Sequence, residues 1–206
     1  MKRCAISREE LVLHEASHLV AIAITPDLAP ADFVWQRLPD YEIAHIEPVL
    51  LRHFEWETPA ERNALIVKRA VVALAGGAAV ADGVLTQGRA QASISIETIH
   101  QLVGSTDFDL AHEWLTLQRY DPDQRSIELE IKRLFQALHE VFLTPPHRAA
   151  LNTISQRIFE ELQAADASGL PHLTLSSQRL LADLSLEPFV DFTLETTLLR
   201  KNSAEH

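Results

Sequence analysis

His14-Glu15-Ala16-Ser17-His18 lies inside an apolar, helix-favouring stretch spanning residues 11–24. Residues four apart on an α-helix share a face, one turn above each other. The two imidazoles of this His-Glu-x-x-His pattern can therefore reach one metal ion, and Glu15 leans toward the same place. Two neutral nitrogen donors beside a carboxylate are what a zinc hydrolase needs to hold Zn²⁺ and to deprotonate its water. The pattern fixes only three residues, so its flanks matter. Ser7-Arg8-Glu9-Glu10 has the form of a capping box and predicts a helix start just before Leu11. Pro26 closes the segment, because proline disfavours helix in the residue before it and cannot continue the ladder. The plain alternative is two helical histidines, one exposed and one satisfied in the core, with Glu15 solvated.

Zinc hydrolases take a third protein ligand, and its place in the chain separates them. A metzincin-type extension needs glycine at position 21 and histidine at position 24. The chain has Ala21 and Ile24, so that class is excluded. A carboxylate or histidine must come from a later element.

With 206 residues, 47% hydrophobic and 23% charged, the chain is long and apolar enough for one domain, or one and a half, with a sizeable core. The formal net charge of −11 argues against a nucleic-acid or anionic-membrane surface, which needs clustered Lys and Arg. Cys4 is the sole cysteine, so no intrachain disulfide forms and a reducing, cytoplasmic compartment is expected. No run of about 18 apolar residues reads as a transmembrane segment. The acidic residues soon after Lys2 and Arg3 do not suit a signal peptide. No G-x-x-x-x-G-K-[ST] occurs, so these residues hold no P-loop ATPase.

The fold class read from the sequence is mainly α, an α+β domain with a small β-sheet after the His-Glu-x-x-His helix. Residues 32–38 and 41–51 are rich in Phe, Val, Trp, Tyr and Ile, with Pro39-Asp40 as a turn between them. Pro48 places one of these strands at an edge. Thr58-Pro59-Ala60-Glu61 starts a helix expected to reach about Asp82. That helix contains Gly76-Gly77, each costing about 1 kcal/mol relative to alanine. Close approach of another backbone compensates, which buries this helix against the metal-site helix; the alternative is a kink or break at the glycines. Further helices are expected over residues 94–103, 107–118 (capped by Ser105 or Thr106), 124–143, 147–165 and 177–183. Pro145-Pro146 separates two of them and Gly169 caps another.

These pieces resemble the peptidase domain of the FtsH-type AAA zinc metalloproteases. That family carries HEAGH on a first helix, a small β-region, a helix with an A-G-[RG]-x-A-E stretch, and a G-A-S-N-D-L-x-x-A segment. Here stand His14-Glu15-Ala16-Ser17-His18, then Ala75-Gly76-Gly77-Ala78-Ala79, then Gly104-Ser105-Thr106-Asp107-Phe108 with Ala111. Order and spacing agree over about residues 7 to 120, and more loosely to about 185. The resemblance implies a peptidase-like zinc domain over residues 1–185, without its ATPase module, followed by a weakly structured or docking tail over 186–206. It also implies Asp107 as the third zinc ligand after His14 and His18, with Glu15 as the catalytic carboxylate. Three departures stand out. Ser17 replaces the usual glycine between the ligands, where it narrows the cleft; Val80 replaces a glutamate; and the segment before Asp107 is one residue short, which leaves Asp109 as a rival ligand.

Read from the residues alone, Asp107 falls in the first turn of a helix directly after a loop, where the helix dipole favours an acidic side chain. His100, His45 and His53 are weaker third-ligand candidates, and His112, His139, His147, His172 and His206 have no motif around them. His139-Glu140 begins a second His-Glu-x-x-His but fails at Leu143. The function expected is a zinc-dependent metallopeptidase acting on a peptide or a flexible protein segment, bound by strand addition along residues 43–49. The alternative is a non-catalytic, zinc-stabilised interaction module or partner subunit. An ATPase or oligomeric partner fits either reading, as does a metal hydrolase acting on a non-peptide amide.

Overall fold

A computed structural model of the chain describes residues 7–50, 58–81, 94–118 and 124–186. Helix α1 (Arg8–Ile24) begins as its sequence dictates. The Ser7 side chain accepts from the Glu10 backbone and the Glu10 carboxylate accepts from Ser7, closing a capping box. At its other end Thr25 is extended, its hydroxyl donates to the Ala21 carbonyl at 2.6 Å, and Pro26 follows. From Glu15 to Ile22 every residue of α1 is buried, so α1 is a central helix rather than a surface one.

Helix α2 (Pro59–Val80) starts with the Thr58–Glu61 capping box and Pro59 in its first turn. It stays helical through Gly76 and Gly77, so there is no break at the glycines. It runs antiparallel to α1, since His18 meets Val72 and His14 meets Gly76. Among the described residues, α2 is the one helix long and apolar enough to cross a membrane, and 67% of its apolar stretch is buried inside the protein. Helices α3 (Ile96–Val103), α4 (Ser105–Gln118), α5 (Gln124–Leu143) and α6 (Pro145–Ala167) surround this pair, and the short α7 (Ser177–Leu181) follows. On α5 the stripe Ile127, Ile131, Leu134, Phe135 and Leu138 faces inward, as its spacing requires. Two helix starts differ from expectation. Pro145 and Pro146 belong to the first turn of α6, where the absent N–H costs nothing. Helix α4 begins at Ser105 itself, and its first bond goes from the Phe108 N–H to the Gly104 carbonyl.

Among the described residues the β-structure comes in two pieces. Strands β2 (Phe33–Arg37) and β3 (Glu42–His45) form the expected hairpin, with Trp35 opposite Ala44. Strand β5 (His172–Leu175) pairs on the other side of β2, with Phe33 opposite Leu175, so β2 is central and β3 an edge. Phe33 and Trp35 alternate inward and are fully buried. Strand β4 (Pro48–Leu50) does not extend this sheet but pairs with β1 (Leu28–Pro30). The expected single strand through residues 43–49 is therefore split at Ile46-Glu47. Four charged residues tie the sheet to the helices. Arg8 on α1 and Arg37 on β2 both contact Glu42 on β3 and Asp166 on α6, and both guanidinium groups lie over the Trp35 ring. The expectations for His53 and for the tail beyond residue 186 lie outside the described residues.

Candidate metal centre

Three side chains from two helices converge on one point. Helix α1 supplies His14 and His18 from adjacent turns, and the first turn of α4 supplies Asp107. Asp107 Oδ2 is 2.9 Å from His14 Nε2 and 3.3 Å from His18 Nε2, and the two Nε2 atoms are 3.1 Å apart. Among the described residues this is the one group of three or more His, Cys, Asp or Glu side chains gathered tightly enough for a metal ion.

The donor set fits a divalent ion. Four-coordinate zinc with bonds of about 2.0–2.1 Å sets its donors roughly 3.3 Å apart, close to the spacings seen. The Nδ1–H of His18 donates to the Val72 carbonyl at 2.8 Å. In the neutral ring Nε2 is then a bare lone pair, aimed at another ring nitrogen and a carboxylate. Such an arrangement repels itself unless a cation or protons lie between, and an imidazole fixed by a backbone carbonyl is the usual support of a metal ligand. The side chain of His18 is 8% exposed, His14 17% and Asp107 28%, so the cluster opens to solvent on the Asp107 side.

Electrostatics in the metal-free protein follow from this crowding. Burial disfavours the ionised Asp107, but hydrogen bonds from His14 and His18 and the charges of both rings outweigh it and hold the carboxyl well below the usual range. His14 is pushed down by burial despite its bond to Asp107. For His18 burial also opposes the charged ring, yet Asp107, Glu15 and the Val72 carbonyl together hold it above its ordinary value.

Glu15 lies beside the cluster and is 5% exposed. Burial pushes its carboxyl up to about 8, against the pull of the His18 charge and of a hydrogen bond from the Ile46 backbone. Its Oε2 is buried and meets no hydrogen-bond partner. Sequence reasoning did not find Ile46 or Val72, because each acts through its backbone, which no side-chain pattern records. Ser17 turns away from the site: it is fully buried, and its hydroxyl donates to the His14 carbonyl at 2.6 Å, so it does not narrow a cleft.

Among the described residues, the other histidines and the rival aspartate sit elsewhere. Asp109 is exposed and lines a separate cavity of about 450 Å³ with His100, His112 and Phe108. His45 is exposed at the end of β3. The Nδ1–H of buried His139 donates to the Ala78 carbonyl at 2.9 Å, and His147 Nδ1 meets the Thr144 hydroxyl at 2.7 Å. In comparisons with known proteins, no family model matches the chain and no curated protein matches it in sequence.

Proposed function

We propose that this chain is a zinc-dependent metallopeptidase of the FtsH-peptidase type, with His14, His18 and Asp107 as ligands and Glu15 as general base. One observation carries the reading: a buried carboxylate oxygen without a partner stands beside three donors gathered closely enough to share one cation. A scaffold site needs the three donors but has no use for an orphaned carboxylate, which is costly to bury.

When bound, zinc acts as a Lewis acid on a scissile carbonyl and brings the acidity of water near neutral pH. The protein's own groups do the rest. Glu15 takes the proton of the attacking water as the new C–O bond forms, then gives it to the amine nitrogen as the C–N bond breaks, and ends ionised as it began. The Ile46 N–H holds one side of that carboxylate and leaves Oε2 free for the water. The Val72 carbonyl keeps His18 in one tautomer and one orientation. Exposed Ile43 and Val49 flank the Ile46-Glu47 break and offer backbone and apolar contacts to an extended peptide.

Short peptides or flexible protein segments are the substrates we propose. A reducing, cytoplasmic setting agrees with the single cysteine, and an ATPase or oligomeric partner that delivers substrate remains part of the proposal. The test is cleavage of fluorescent casein and of short peptide libraries by the zinc-loaded protein, with and without chelator. Chelator-sensitive cleavage supports the peptidase. Stoichiometric zinc with no chelator-sensitive cleavage overturns it in favour of a zinc-stabilised interaction module.

A further inference from the structure

Two of the three proposed ligands owe their places to glycines on a helix that supplies no ligand. A Cβ added at Gly76 would lie under 3.0 Å from Cε1, Nδ1 and Nε2 of His14. A Cβ added at Gly77 would lie 2.5 Å from Val103 Cγ2, 2.6 Å from Val103 N and 2.7 Å from Val103 Cα. Real side chains do not tolerate such distances. The His14 ring thus rests on bare α2 backbone at Gly76. The end of α3 rests on bare backbone at Gly77, one residue before the Gly104 turn that launches α4 and Asp107.

We infer that Gly76 and Gly77 are positioning residues for the metal centre, Gly76 seating the His14 imidazole and Gly77 setting the distance of Asp107 from α1. This rests on the metal reading above, but its geometry can be tested without it. Both glycines are helical, within the last two turns of α2 and before its C-cap at Ala81, and φ is positive at neither. Conformational freedom therefore does not explain them. Alanine is the better helix former by propensity, so what glycine supplies here is the missing methyl.

The seats differ in kind, which makes the inference specific. Gly76 meets the far end of a side chain, so an added methyl displaces the ring and leaves α1 and α2 in place. Gly77 meets main chain, so an added methyl must move the α3–α4 junction. Its effect should reach the metal through Asp107 alone.

The test uses the full chain in single and paired variants, with Co²⁺ as the spectroscopic probe and Zn²⁺ competition against a chromophoric chelator. Gly76→Ala is expected to weaken Zn²⁺ binding by about 10- to 100-fold and to alter the Co²⁺ visible spectrum. Gly77→Ala is expected to weaken binding no further when Asp107 is already alanine. Thermal melting of the metal-free protein supplies the readout independent of metal. Gly76→Ala lowers the melting temperature in the native background. In a His14→Ala background, where the ring is gone, the same change raises it. Native-like Zn²⁺ affinity and Co²⁺ spectrum in Gly76→Ala overturn the positioning role, as does a destabilising Gly76→Ala in the His14→Ala background. If the reversal in melting holds but neither variant nor native protein binds Zn²⁺ or Co²⁺, the seat is real and the metal reading fails. Should Gly76→Ala alone not fold, the paired variant still decides, because it is expected to fold.

Discussion

The Val72 carbonyl accepts from Nδ1–H of His18 at 2.8 Å and so leaves Nε2 of that ring facing Asp107 at 3.3 Å. Asp107 and Glu15 hold His18 above its ordinary value, and Glu15 itself is pushed up to about 8 by burial. At pH 7 the metal-free site therefore carries protons that a cation must displace. Zinc binding at pH 7 is expected to release about one to two protons. Calorimetric titration in buffers of different ionisation enthalpy measures that number, and a release near zero contradicts the arrangement.

The same groups set a pH dependence whose sign differs with and without metal. Glu15 ionises near 4.5 when unfolded but near 8 in the folded, metal-free protein, so its burial destabilises the fold increasingly as pH rises through that window. His18 is raised, so its contribution is full below its unfolded value near 6.5 and is lost as pH rises through the folded one. His14 is lowered and works oppositely, but only below 6.5. Asp107 is depressed, and its contribution is lost only in strong acid. The metal-free protein is expected to melt at lower temperature at pH 8 than at pH 6.5, by on the order of a few kcal/mol of stability. The increment added by zinc is expected to grow over the same range, since fewer protons compete. Parallel melting curves with and without zinc check both signs.

Glu15→Gln preserves the shape of the side chain and the three proposed ligands while removing the proposed base. Zinc content by elemental analysis should stay at the native level, and the turnover rate should fall by about 10²- to 10⁴-fold. Melting of the metal-free variant should also decline less between pH 6.5 and 8, because Glu15 is one source of that decline.

Asp107→Ala and Asp109→Ala separate two carboxylates only two residues apart. Removing Asp107 should weaken zinc binding by more than about 100-fold, while removing Asp109 should leave it unchanged. Equilibrium competition with a chelator reads both. The reverse order of effects would place the third ligand on the wrong aspartate.

Arg8 joins α1 to β3 and α6 through Glu42 and Asp166 and stacks on Trp35. Its partners are partly exposed, so the network rather than any one pair carries the effect. Arg8→Ala is expected to lower stability by about 1 kcal/mol at neutral pH. Glu42 and Asp166 are both held below the ordinary carboxylate range, so the deficit should shrink as acid protonates them. Urea titrations at pH 7 and pH 3.5 measure the difference.

The helical frame of this domain is written locally. Both capping boxes, the inward stripe of α5 and the helical pair His14 and His18 depend on residues within a turn or two of one another. Helix α1 and the starts of α1 and α2 were accordingly legible. The choice between Asp107 and Asp109 was not, because residues two apart point about 200° apart around a helix and only the packing of α4 decides which faces α1. Gly76-Gly77 was legible as a close approach but not as two different ones, a side chain at the first and main chain at the second. Strand β1 and the pairing of β4 went unread because three-residue strands carry almost no periodicity. Strand β5 was hidden differently: His172-Leu173-Thr174-Leu175 alternates as a strand should, but its partner lies far back in the chain, and four residues between helices read as a link.

That late strand bears on how the molecule is made. During synthesis Phe33 and Trp35 leave the ribosome long before Leu173 and Leu175 exist to pair with them. The nascent hairpin keeps one flank of hydrogen-bonding groups open for most of translation. Arg8 and Arg37 wait as long for Asp166. Premature termination before residue 175 therefore yields a chain that holds His14, Glu15, His18 and Asp107, yet presents an unpaired strand flank to its neighbours, a species suited to aggregation.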